Sequence, residues 1–237
     1  PFPMKLNATY KQLSISFLLL SLIDPVHAYV LSGDVIELSP APVSAAHNTL
    51  ESSEHAFFWA EQQGVTITSP VNVDVVPFVS NPTGFYDSGN AAVEATWNGQ
   101  LQAGTYDSYY LHADKQGANV TFNGSITFDE VIVGLIYKQP NLNLTDSILG
   151  NSATTYASGP GQMFELDGPN NFFELTISDG GKTLNFQTVV AHNMDDMRII
   201  TASFVPEPGS LALLALGIIA LVVSRRNVSH QESGVKL

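Results

Sequence analysis

The stretch FFELTISDGGKTLNFQTVVA, Phe172 to Ala191, decides how the fold is read. Phe173, Leu175 and Ile177 alternate with polar neighbours, and after Asp179-Gly180-Gly181 the alternation resumes at Leu184, Phe186 and Val189. An apolar period of two places alternate side chains on one face of a strand. Asp-Gly and Gly-Gly supply the positive φ angles that a tight hairpin needs. Two antiparallel strands joined by a short turn are therefore expected here.

The same pattern extends outward. VTITSPVNVDVVPFV (Val65 to Val79) places Val65 and Ile67, then Val71, Val73 and Val75, at alternate positions, and SITFDEVIVGLIY (Ser125 to Tyr137) continues with Ile126, Phe128, Val131, Val133 and Leu135. Asn123-Gly124, inside VTFNGSITF, predicts a second hairpin turn. MRIITASF predicts a last strand with Met197, Ile199 and Thr201 on one face and Arg198, Ile200 and Ala202 on the other. Helical signals are few. Leu50, Ala56, Phe57 and Ala60 stand near helical spacing with Gly64 as a stop, so residues 45–64 read as a short helix or an irregular segment, and Leu144 to Gly150 reads as one helical turn capped by Thr145. Many short strands separated by turn residues predict an all-β fold over residues 29–204, an antiparallel β-sandwich of jelly-roll-like form. No tandem repeat is visible.

Composition narrows the partners. Of 237 residues only 13% are charged, and the deficit falls on the basic side. Between Tyr29 and Phe204 four lysines and arginines face nineteen aspartates and glutamates, a net charge of −15. Such a domain is repelled by nucleic-acid phosphate and by anionic lipid, and suits cations, neutral polymers or basic surfaces. The chain has no cysteine, which excludes disulfides, thiol catalysis and cysteine metal sites.

Chemistry-bearing motifs are scarce. His27, His47, His55, His112, His192 and His230 show no metal-ligand spacing, and neither a G-x-S-x-G elbow nor a phosphate loop occurs. A glycosidase needs two carboxylates facing across a cleft, and no pair stands out among nineteen. No catalytic residue or metal ligand is assigned, and the chain is read as a non-enzyme. Asp107, Asp114, Asp129, Asp167, Asp179, Asp195 and Asp196 are expected in or beside turns, where their oxygens would suit a structural Ca²⁺, although no D-x-D-x-D-G loop occurs. Trp59, Trp97, Tyr106, Tyr109 and Tyr110 could offer a platform for sugar rings, with Trp97, Tyr109 and Tyr110 as the candidate ligand-binding residues. The competing expectation is that both tryptophans lie in the core. Tyr109 and Tyr110 are adjacent, so on a strand only one of them should face outward.

Both ends of the sequence read as addresses. Lys5 and Lys11 precede the apolar run Leu13 to Ile23, and Val26 and Ala28 hold the small-residue positions of a signal-peptide cleavage site. Cleavage by signal peptidase is expected between Ala28 and Tyr29, which makes residues 1–28 a signal helix with Met4 as its start. At the other end, Gly209 to Ser224 is an uncharged run of sixteen residues. As a helix it reaches about 24 Å, short of the roughly 30 Å hydrocarbon core, so it is a marginal transmembrane helix. Arg225 and Arg226 mark its cytoplasmic end, and residues 227–237 form a polar tail. Val205-Pro206-Glu207-Pro208 ahead of the run is an extended linker, since its prolines continue neither helix nor strand.

Pro206-Glu207-Pro208, the LALLALG opening of the span and Arg225-Arg226 together resemble the PEP-CTERM sorting signal of exported Gram-negative bacterial proteins. In that family an exosortase in the membrane recognises the signal and removes the tail, and the hosts generally make exopolysaccharide and biofilm. The added stretch NVSHQESGVKL departs from the family's usual short ending. LQAGTYDSYYLHAD, GSITFDEVIVGLIY and DDMRIITASF are similar to a domain recurring among such proteins, for which the resemblance implies no activity. The expectation is an exported surface or extracellular-matrix protein, sorted through Val205 to Pro208 and Arg225-Arg226 by an exosortase. It would pass through the inner membrane to the cell surface and act as a structural or adhesive component of the envelope or exopolysaccharide layer. A carbohydrate-binding module and a secreted hydrolase remain the alternatives.

Overall fold

In the computed structural model the Phe172 to Ala191 stretch forms its hairpin. Phe173–Ser178 and Thr183–Val190 pair antiparallel, with Leu175 opposite Phe186 and Ile177 opposite Leu184. The turn between them, Asp179–Gly181, has positive φ at all three residues (52°, 65° and 97°). One detail differs from expectation. The inward position near the end of the second strand belongs to Val190, which is fully buried, and not to Val189. The apolar alternation is interrupted because Thr188 takes an inward place, where its hydroxyl donates to the buried Asp195 carboxylate.

The structure describes residues 29–77, 85–87, 99–159, 173–191 and 194–203, with residues 85–87 and 173 through their backbone alone. They belong to one compact unit, Ala28–Val205. The chain opens with β1 (Tyr29–Gly33), β2 (Val35–Glu37), β3 (Ser44–Ala45), β4 (Glu51–Ser52), β5 (Ala56–Ile67), β6 (Val71–Val73), β7 (Phe85–Asp87) and β8 (Gly99–Leu101). It continues with β9 (Gly104–Lys115), β10 (Val120–Phe128), β11 (Ile132–Ile136), α1 (Gln139–Leu149) and β12 (Thr155–Tyr156), and closes with β13 (Phe173–Ser178), β14 (Thr183–Val190) and β15 (Met194–Ala202).

The long strands form two sheets. One runs in the order β1-β10-β14-β13-β7 and the other β11-β15-β9-β5-β2, with β4 added beside β9. The fold is all-β and a sandwich, because the two sheets bury a shared core. Phe122 and Ile126 of β10 and Leu184 and Phe186 of β14 meet Phe58 of β5, Leu111 of β9 and Met197 and Ile199 of β15. Aromatic rings organise one end of this core. Phe58 stacks on Tyr109 with ring centroids 5.7 Å apart, and Tyr29 meets Phe58 edge-on at 4.9 Å.

The six-stranded sheet is buried on its other face as well. Trp59, Tyr110, Ile136 and Ile200 pack there against Leu142 and Leu149 of α1, Ala45 of β3, and Val73 and Leu101 of the β6–β8 pair. A strand covered on both faces has no solvent side, so eight consecutive residues of β9, Asp107 to Asp114, and eight of β15, Met194 to Thr201, are buried.

Double burial also explains the largest departure from the sequence reading. The stretch 45–64, expected to be a short helix or irregular, instead holds β4 and most of the twelve-residue β5, which runs on to Ile67. Its apolar residues fall on both faces, so no period of two betrays the strand. Asn123-Gly124 is likewise no hairpin turn, since both residues lie inside β10. Gly124 sits opposite Gly33, whose φ is +75°, and a Cβ on Gly124 would meet Val35 Cγ2 at 2.4 Å and the Ser32 carbonyl at 2.9 Å. Glycine serves here for close approach of strands, not for turning. Gly124→Ala should therefore lower stability by about 1–3 kcal/mol, read as a shift in the urea midpoint at unchanged slope.

Helix α1 is longer than the single turn expected, and Thr145 is not its cap. Thr145 lies inside it and donates back to the Asn141 carbonyl at 2.7 Å and the Leu142 carbonyl at 3.0 Å. The helix entry is capped from a distance. Asp74, just after β6, accepts from the Tyr137 and Lys138 amides at 2.7 Å each and from Asn141 Nδ2 at 2.6 Å. Such a carboxylate satisfies donors that the helix entry leaves free, and Pro140 in the first turn needs no partner.

Candidate functional site

Two regions gather the polar side chains of the described residues. The first is a buried seam on the α1-facing side of the six-stranded sheet. Register places Trp59, Tyr110 and Arg198 side by side across β5, β9 and β15, and Phe57, His112 and Asp196 in the next row. Arg198 is fully buried. Its Nε donates to Glu61 Oε2 at 2.7 Å and its Nη2 to Glu61 Oε1 at 2.8 Å, a two-pronged pair. Nη2 also donates to Asp146 Oδ1 at 3.0 Å, while Nη1 donates to Thr145 Oγ1 at 2.6 Å and to the Leu142 carbonyl at 3.3 Å. All five guanidinium N–H groups thus find acceptors. Ser108 donates to Glu61 Oε2 at 2.6 Å, and the guanidinium carbon lies 5.2 Å from the Tyr110 ring and 5.3 Å from the Tyr156 ring. Burial works to lower the Arg198 pKa, but the Glu61 carboxylate, Tyr110 and Asp146 outweigh it and the net shift is upward. This group stays charged and acts as a clasp, joining α1 to the sheet.

In the next row His112 Nδ1 lies 2.6 Å from Asp196 Oδ1, with both side chains fully buried. Beyond it, Asp114 Oδ2 accepts from the Asn48 amide at 2.6 Å, and His47 Nε2 lies 3.8 Å from Asp114 Oδ1. Among the described residues no group of three or more His, Cys, Asp or Glu is placed to hold a metal ion.

Buried acids of the seam, the core and the α1 entry make the domain's stability depend on pH. Burial pushes the Asp74, Asp114 and Asp146 carboxyls above the ordinary carboxylate range, against the donors and cations that pull them down. Burial also raises the phenols of Tyr29, Tyr109, Tyr110 and Tyr156. An acid whose folded pKa is raised keeps its proton at a pH where the unfolded chain has released it. Its contribution is therefore present below the unfolded pKa and is lost as pH climbs through the folded one. For the carboxyls that loss begins near pH 3.9, and for the phenols near pH 10. Every carboxyl shift resolved among the described residues points upward, and the net charge of −15 between Tyr29 and Phe204 adds repulsion as pH rises. The thermal midpoint should thus be higher at pH 5 than at pH 8 and fall steeply above pH 10, as a calorimetric pH series would read.

The second region is the outer face of the five-stranded sheet. Its outward positions are mostly hydroxyls and carboxamides. One row runs Ser32, Ser125, Asn185 and Thr176 across β1, β10, β14 and β13. A second runs Val30, Thr127, Thr183 and Ser178, and a third holds Asn123, Gln187 and Glu174. The rows are hydrogen-bonded within the face. Ser32 Oγ is 2.8 Å from Ser125 Oγ, Thr127 Oγ1 is 2.9 Å from Thr183 Oγ1, and Asn185 Nδ2 donates to Ser178 Oγ at 3.1 Å and Thr176 Oγ1 at 3.3 Å. Two carboxylates among its described side chains, Asp34 and Glu174, stand at opposite ends of the third row. Asp34 Oδ2 there accepts from the Asn123 amide at 2.9 Å.

The residues expected to bind ligand fall elsewhere. Tyr109 and Tyr110 point to opposite faces of β9 as adjacent strand residues must, yet both are buried, at 3% and 1% exposure. Tyr109 lies in the core between the sheets and Tyr110 beneath α1, so neither forms a sugar platform. The sheet has no open face at β9, which adjacency in sequence cannot reveal. Trp59 is fully buried, as the core reading expected, and Trp97 lies outside the described residues. Asp107, Asp114, Asp195 and Asp196 sit within β9 and β15 and are buried, not in turns, while Asp129 is exposed after β10, Asp179 opens the hairpin turn and Asp167 lies outside the described residues. Ala28, Val205 to Pro208, Arg225 and Arg226 also lie outside them, and Tyr29 begins β1. Among the described residues no helix is long and apolar enough to cross a membrane, and the run Gly209 to Ser224 is not among them.

Sequence reasoning missed the Arg198 clasp and the neutral face. One signal for the clasp was present: the lone arginine of an acidic domain inside an apolar strand needs a buried acidic partner. For the face, the signal was the run of Ser, Thr, Asn and Gln at the alternate positions of β10 and β14.

The last described residue, Ser203, directly precedes the segment that the family comparison identifies. Residues 204–226 match the model of the PEP-CTERM protein-sorting motif. The chain carries a PEP-CTERM sorting signal. That signal marks an exported protein whose processing partner is an exosortase, and the match includes Pro206-Glu207-Pro208 and Arg225-Arg226. No curated protein and no solved structure matches the chain. The PEP-CTERM signal begins two residues after β15 ends at Ala202.

Proposed function

We propose that this protein is a displayed structural or adhesive component of the envelope or exopolysaccharide layer of a Gram-negative bacterium. A signal peptide ending at Ala28 starts its export, the run Gly209 to Ser224 holds it as an inner-membrane intermediate, and the exosortase then removes the tail. The observation that carries this reading is the distribution of chemistry in the domain. The strongest ionic group, Arg198 with Glu61 and Asp146, is enclosed and hydrogen-bonded as a clasp, whereas the accessible sheet face presents neutral hydroxyls and carboxamides. Such a domain contributes surface and rigidity.

A carbohydrate-binding module is the second reading, favoured by that same face.

The test is intact mass spectrometry of the protein recovered from its native host. A species beginning at Tyr29 and ending near Pro206 to Pro208 is expected. A species retaining Gly209 to Leu237 would make the protein a single-pass anchor and overturn the sorting route.

A further inference from the structure

We infer that the outer face of the five-stranded sheet binds an uncharged, polyhydroxylated polymer, a neutral polysaccharide chain lying across the strands. The inference rests on the surface-display reading and deepens it by naming the surface and the class of partner. Charge is the first argument. The region Tyr29 to Phe204 carries −15, yet among its described side chains the face is uncharged apart from Asp34 and Glu174 at its margin. An anionic polymer would be repelled by the rest of the domain, and a cationic one would be drawn to its acidic surfaces instead.

Hydrogen-bonding capacity is the second argument. Hydroxyls and carboxamides each donate and accept, which complements a chain of sugar hydroxyls in either direction. The four strands whose side chains are described make the face roughly 14 Å wide at a spacing of about 4.8 Å, comparable to the length of one pyranose unit. The contacts Ser32–Ser125, Thr127–Thr183 and Asn185–Ser178 already hold the rows in place, which reduces the ordering cost of binding.

The same composition argues against a second copy of the chain as occupant. Interface cores are apolar and aromatic, and the apolar side chains described on this face are two valines, Val30 exposed at its β1 edge and Val189 half-buried on β14. Without a stacking aromatic among its described side chains, each sugar contact is weak. Binding must then grow with polymer length, through many repeated contacts along one chain.

The test uses the full chain in a zwitterionic detergent, with insoluble cellulose for co-sedimentation and dextran or alginate cast into native gels. Retention is expected on cellulose and in dextran gels, rising with dextran length and unchanged by salt, with none in alginate beyond the blank gel. Asn185→Glu and Thr127→Lys, each shown to fold by an unchanged unfolding midpoint, should each weaken retention about tenfold. Leu144→Glu, on the exposed side of α1, should leave it intact. No retention on either neutral polymer would overturn the inference, as would loss in Leu144→Glu equal to that in the face variants. Salt-sensitive retention, or concentration-dependent dimers that the face variants abolish, would overturn it too. The two readings fail separately. A protein processed at both ends that ignores neutral glycans refutes only the glycan contact, and one that binds glycan while keeping Gly209 to Leu237 refutes only the sorting route.

Discussion

Arg198→Met is expected to destabilise the domain by about 3–5 kcal/mol, a large part of the total for a protein of this size. The loss does not come from the missing Arg198–Glu61 attraction alone. Glu61 is 6% exposed, and without the guanidinium it becomes a buried carboxylate left with the hydroxyls of Ser108 and Tyr156. Thr145, Asp146 and the Leu142 carbonyl would lose their shared donor at the same time, and all three belong to α1. The helix should therefore loosen first, with amide exchange in Gln139–Leu149 rising more than in β10 or β14. The double variant Glu61→Leu with Arg198→Met removes both charges, so it should unfold at a higher urea concentration than Arg198→Met alone. If the single and double variants unfold together, the clasp is not what holds the helix.

Replacing Pro206-Glu207-Pro208 with three alanines should abolish removal of the C-terminal segment, an all-or-none change in mass. The PEP-CTERM match begins at residue 204 and β15 ends at Ala202, so few residues separate folded strand from recognition triplet. Prolines continue neither helix nor strand, and Glu207 is the charged group between them. The alanine variant should accumulate in membranes with Gly209 to Leu237 attached, its sandwich still folded. Normal trimming in that variant would show that recognition lies in the apolar run or in Arg225-Arg226 instead.

How much could be read in advance depended on how local each feature is. The hairpin at Asp179-Gly180-Gly181 was legible because one half-solvated sheet face leaves its period of two in the sequence, and because positive φ at the turn calls for glycine. The PEP-CTERM signal was legible because it is linear: proline, carboxylate, apolar run and basic pair in order. The strand β5 was not legible, since Phe58 faces one core while Phe57 and Trp59 face the other, which erases alternation. Tyr110 looked like a ligand contact for the same reason. The layer formed by α1, β3, β12 and the β6–β8 pair turns its side of β9 into an interior.

The amino-acid sequence by itself determined the sorting signal, the acidity and the all-β class, because each follows from composition or from neighbours a few residues apart. The tertiary structure alone decided which polar groups are enclosed and which are presented. Asp74 caps a helix that begins 65 residues later, Arg198 meets a glutamate 137 positions earlier, and the neutral face is assembled from β1, β10, β14 and β13, whose order in space is not their order in the chain. Pairings over such distances are set by which faces can bury their apolar side chains together, and that quantity belongs to the whole fold and to no single segment.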